Sequence, residues 1–131
     1  MARIALVAMA VMASGASAQT LPAANPSVRV FLDCNFCDHE FLQVETPWVV
    51  FVRDRAASDV HLLLTRIETG GSGRRYDLEV LGQGPAARRD TVVFETGPAV
   101  TEDAVRREIA RNIQLGLVPY ALRTSAARGL R

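Results

Sequence analysis

The N-terminal stretch MARIALVAMAVMASGASA (1–18) constrains everything that follows it. Arg3 gives a positive start, an apolar run extends from Ile4 to about Ala13, and Ala16-Ser17-Ala18 forms an A-x-A cleavage pattern. That order reads as a secretory signal peptide. The run falls short of the ~20 apolar residues that a bilayer span requires, so a membrane anchor is the weaker reading. No cysteine stands at the cleavage point to carry a lipid. The exported part then has room for one small domain without a transmembrane helix. QTLPAANPS (19–27), with two prolines, reads as an extended leader, 28–123 as a single α/β domain, and 124–131 as a tail or the start of a linker.

Export sets the chemistry. Loss of Arg3 takes the basic count from 15 to 14, against 14 acidic residues, and every basic residue is arginine. Balanced charge gives no general electrostatic case for nucleic acid or for an anionic membrane. Cys34 and Cys37 lie in the exported part, where a disulfide persists.

The periodicity predicts β-α-β-β-β-α. VRVFLDC (28–34) alternates as a first strand. Asp38 is placed to cap a helix, and Phe41, Glu45, Trp48, Val49 and Val52 recur at helical spacing. One helix over 39–54, kinked at Pro47, is the favoured reading. The alternative is a short helix followed by a strand at WVVFV. SDVHLLLTRIET (58–69) reads as a strand, GGSG (70–73) as a hairpin turn, RRYDLEVLG (74–82) as its partner and DTVVFET (90–96) as another strand. Thr101 caps a final helix whose Val105, Ile109, Ile113, Leu117 and Tyr120 form one apolar stripe, ending or kinking near 116–118. The expected fold is α+β: a two-layer sandwich with a four-stranded, mostly antiparallel sheet and two helices on one face.

FLDCNFCD (31–38), VRDRAASDVHLLLT (52–65), TGGSG (69–73), LGQG (81–84) and LGLVPY (115–120) resemble the N-terminal domain of a group of exported bacterial proteins of uncharacterised function. The resemblance spans nearly all of the exported domain. It implies a periplasmic or outer-membrane location, and in longer members further sequence such as an outer-membrane barrel. A looser likeness of element order links the chain to small α/β domains of periplasmic assembly factors. Among these are the N-terminal domain of the Tol-Pal translocation protein and lipoproteins that activate peptidoglycan synthases. Architecture of this kind does not determine function.

Three chemistries compete for DCNFCDHE (33–40). A C-x-x-C pair after a strand and at a helix start resembles a thiol-disulfide oxidoreductase site, where the helix dipole favours a thiolate. Asp33 and Asp38 oppose that by raising a thiol pKa, and one helix followed by three strands is not the expected order. A structural-zinc domain would draw on Cys34, Cys37, His39 and His61, but no second C-x-x-C or histidine pair completes the set. A local Cys34–Cys37 disulfide is the favoured reading. Its small loop gives a stabilisation on the order of 1–2 kcal/mol.

Elsewhere the signals are weaker. Arg53 and Arg55 could form a fork for a carboxylate or phosphate, against a salt-bridged helix end as the plainer account. GGSG lacks the lysine and helix of a phosphate loop. Ser58, Ser72 and Ser125 lack a nucleophile-elbow context. Asp77, Glu79 and Glu95 fall on alternating strand positions that read as solvated faces. VPYAL (118–122), if exposed, would suit a protein contact. The sequence thus implies a non-catalytic cell-envelope binding or assembly domain without a cofactor, whose partner is another envelope protein.

Overall fold

The computed structural model describes residues 28–84 and 87–122, together with Gly15. The expected signal peptide (apart from Gly15), the leader and the tail at 124–131 lie outside the described residues. Among the described residues the elements are, in order, β1 (Val28–Asp33), α1 (His39–Glu45), β2 (Val49–Phe51), a 3-10 turn (Arg55–Ala57), β3 (Val60–Glu68), β4 (Arg74–Gly82), β5 (Arg89–Thr96) and α2 (Glu102–Ala121). The strands form one five-stranded mixed sheet in the order β2-β1-β3-β4-β5. β1 pairs in parallel with β2 and with β3, whereas β3–β4 and β4–β5 are antiparallel. The α+β class holds, and the four-stranded, mostly antiparallel sheet is corrected to five mixed strands.

The fifth strand comes from the residues expected to continue the first helix. Proline disfavours helical geometry in the residue before it, and Pro47 follows Thr46. The helix therefore stops at Glu45, with the Thr46 N–H donating to the Leu42 carbonyl at 3.0 Å. Trp48, Val49, Val50 and Phe51 are aromatic and β-branched, which suits an extended chain. They lie beside β1, with Val49 opposite Val28 and Phe51 opposite Val30.

The hairpin forms where expected, with β3 and β4 paired from Val60–Gly82 to Glu68–Arg74. Positive φ falls on Gly71 and on Ser72 in its turn. Alternation then sorts the sheet into two faces. Val28, Val30, Leu62, Leu64, Tyr76, Leu78 and Val80 are buried together with Leu42 of α1 and with Ile109, Ile113 and Leu117 of α2 in one cluster. Arg29, Phe31, His61, Leu63, Asp77, Glu79 and Val93 occupy the other face, where His61 is buried and Val93 exposed.

α2 begins as expected, with the Thr101 hydroxyl accepting the Ala104 N–H at 3.2 Å. It then continues through Gly116 and Pro119 to Ala121, beyond the expected stop. Pro119 leaves one carbonyl of the preceding turn without its helical donor. The continuation buries Leu117, Tyr120 and Ala121. Gly116 is required by closeness to the sheet: a Cβ there would meet Val80 Cγ2 at 2.9 Å and Leu78 Cδ2 at 3.6 Å. Gly116→Val is accordingly expected to cost about 1–3 kcal/mol in urea unfolding through overpacking. A variant as stable as the parent would show that α2 can lift off the sheet. Among the described residues, no helix is long and apolar enough to cross a membrane.

Candidate functional site

At the end of β1 the chain turns sharply into α1, and the disulfide fixes that turn. Cys34 and Cys37 are joined, with S–S 2.06 Å and Cα–Cα 5.7 Å. Asp38 then caps α1 by accepting the Phe41 N–H at 3.0 Å. That bond, with the Arg106 guanidinium beside it, holds the Asp38 carboxyl below its ordinary pKa despite partial desolvation.

The clipped turn presents two aromatic rings. Phe36 packs toward the sheet, 6.1 Å from the Tyr76 ring, and carries the Arg66 guanidinium 4.4 Å above its own ring. Phe41 carries Arg106 at 4.6 Å. Such placements favour a cation over the negative face of the ring. Arg106 also reaches Asp38 at 3.3 Å and Asp103, at the start of α2, at 2.5 Å. The first turns of the two helices are therefore tied together through one side chain.

Between these groups lies a cleft of about 520 Å³, walled by Phe36, Phe41, Val100 and Val105 and edged by Arg66, Arg74 and Arg106. The three arginines are not equivalent. Arg106 is neutralised by two carboxylates and Arg74 by Glu68 at 3.3 Å. Arg66 makes no ion pair among the described residues; its contact is the Phe36 ring. Glu102 stands exposed at the rim, in the first turn of α2. The cleft thus combines apolar walls with a charged edge on which Arg66, Arg74 and Arg106 face Asp38, Glu102 and Asp103. Arg66 is the one arginine of the three without a carboxylate among the described residues, and a planar cation beside apolar rings suits a carboxylate on an apolar stem.

The residues singled out in the sequence are distributed differently. Arg53 is exposed on the wall of a second hollow of about 400 Å³, near Phe31, Phe51 and His39. Arg55 opens the 3-10 turn and acts electrostatically on His61. Neither ends an α-helix, since α1 stops at Glu45, and Asp54 caps the 3-10 turn through the Ala56 N–H at 2.9 Å. His39 is exposed, and His61 is buried on the sheet face opposite the two α-helices; the described residues hold no group of three or more potential metal ligands. In the VPYAL stretch, Tyr120 and Ala121 are buried, while Val118 and Leu122 are exposed.

Arg66 and its aromatic neighbour were not apparent from motif reading. The available signal was the alternation of β3, where Val60, Leu62 and Leu64 are core positions and the next position in phase is Arg66. A cation in phase with the core face marks the edge of that core. Phe36 and Phe41 were legible as apolar residues flanking the cysteine pair, but their pairing with arginines depends on the tertiary fold. No family model, no curated protein and no solved structure matches the chain.

Proposed function

We propose that this chain is an exported, non-catalytic binding domain of the bacterial cell envelope, periplasmic or attached to the outer membrane. Its cleft takes an acidic, apolar-bearing segment of another envelope protein. The signal-type N-terminus and the disulfide support export. The observation that carries the binding role is Arg66, poised over Phe36 without a carboxylate of its own at the edge of a cleft with apolar walls and a charged rim. A glutamate or aspartate of the partner would pair with Arg66, and its apolar neighbours would rest against Phe36, Phe41 and Val105. The disulfide serves as the frame that holds Phe36 in place.

The test uses a short, end-blocked peptide of alternating leucine and glutamate, and the same peptide with glutamine for glutamate. Calorimetric titration is expected to give binding of the first and at least several-fold weaker binding of the second. Arg66→Ala is expected to weaken the acidic peptide by about tenfold, in the range of a partly exposed charge-assisted contact. Equal affinity for both peptides, or an unaffected Arg66→Ala variant, would remove the cleft as the binding site. The thiol-disulfide alternative separates cleanly, because it requires a mixed disulfide with Cys34 rather than a dependence on Arg66.

A further inference from the structure

The outer edge of the sheet is open at β5. This strand pairs with β4 along its whole length without a bulge, from Leu81–Arg89 to Arg74–Thr96. It contains no proline, and no described strand lies on its other side. Long unprotected edges of this kind are templates for another strand.

The direction of the free groups follows from the ladder. The Gly82 N–H donates to the Arg88 carbonyl at 2.8 Å, which makes Gly82–Arg88 a hydrogen-bonded pair. In an antiparallel ladder such pairs alternate, so the even-numbered residues of β5 bond to β4. The backbone groups of Arg89, Thr91, Val93 and Glu95 then point outward. Their side chains lie on the open sheet face, where Val93 is exposed and Glu95 makes no ion pair among the described residues.

We propose that this edge is a self-association surface, on which a second copy of the chain pairs antiparallel in a register centred on Val92. A twofold axis normal to the sheet keeps like faces together, so odd residues must meet odd residues. Centring on Val92 sets Arg89 opposite Glu95 of the second copy, twice, and Thr91 opposite Val93. Centring on Val93 sets Glu95 against Thr91 and Arg89 against Gly97. Centring on Thr91 sets Arg89 against Val93. The Val92 register alone among these matches the charges, and it pairs every outward backbone group of the four residues. α2 packs over β4 and β5. The two copies of α2 then lie about two strand spacings apart, roughly 10 Å, which is the separation of packed helices.

The test is sedimentation velocity over a concentration series for the parent chain, Arg89→Glu, Glu95→Arg and an equimolar mixture of the two variants. The parent is expected to show a monomer–dimer equilibrium. Each variant alone brings like charges together at both ends and is expected to raise the dimer Kd about tenfold. In the mixture each variant meets opposite charge again, and association returns to near the parent level. Loss of the exposed Arg89–Glu79 pair has little effect on the fold, and unchanged circular dichroism checks this. A strictly monomeric parent, single variants that associate like the parent, or a mixture that fails to recover would each overturn the proposal.

Discussion

Tyr76→Ala is expected to destabilise the domain by about 3–5 kcal/mol, the range for removing a large buried aromatic side chain. Tyr76 is fully buried, on the core face of β4. Its ring stacks on Phe94 with centroids 4.8 Å apart and meets Phe36 at 6.1 Å. Truncation would leave a cavity bounded by β-strands that cannot close around it. A loss of that size is a large part of the total stability of a small domain. Tyr76→Phe is the control. The buried hydroxyl makes no well-formed hydrogen bond; its polar contact is with the Arg74 guanidinium, and that weak hydrogen-bonding contact raises the Arg74 pKa. Its removal is therefore expected to change stability by less than about 1 kcal/mol. Urea unfolding followed by the single tryptophan, Trp48, measures both. A Phe variant as damaged as the Ala variant would mean that the hydroxyl, and not the ring, holds this position.

His61→Leu is expected to raise stability by about 1–2 kcal/mol at neutral pH, the range for relieving an unpaired buried polar group. His61 is 5% exposed, and both ring nitrogens are buried without partners. The ring lies 5.2 Å from Phe31 and opposite Leu81 in the ladder, an environment that favours leucine. Burial lowers the imidazole pKa, and Arg55 in the 3-10 turn lowers it further, while Asp33 of β1 and Glu79 of β4 oppose them. The unfolded chain therefore binds a proton at higher pH than the folded one does. Stability from this group is complete above about pH 6.5, its unfolded value, and falls as the pH drops from there toward the lower folded value. His61→Leu should flatten that part of the profile and leave the more acidic carboxylate region unchanged. A less stable variant, or an unaltered slope just below pH 6.5, would show that His61 has a partner or is charged in the folded state.

Elements with a strong period were legible in the sequence, and those governed by competition were not. The last helix, the hairpin and the first strand could be read because capping, alternation and turn residues agree at each of them. The segment 46–54 was read as the continuation of the first helix, because its apolar residues satisfy a helical spacing, although their β-branching favours a strand. Pro47 and an open edge on β1 decide for the strand. That missed strand accounts for the corrected topology and for the wrong setting of Arg53 and Arg55. The cysteine pair was legible from its short spacing and from the signal-type N-terminus, which led to the expectation of an oxidising compartment. Arg66 was hidden because a cation–aromatic pair between β3 and the turn before α1 is made only once β1 and β3 lie side by side.

The most direct test of the binding account is a heteronuclear NMR map of the leucine–glutamate peptide on the oxidised chain, repeated after reduction. The account predicts shifts concentrated on Phe36, Phe41 and Arg66, and weaker binding once Cys34 and Cys37 are reduced and the turn that carries Phe36 loosens. Shifts that avoid the cleft, or that remain the same with the disulfide open, would contradict it.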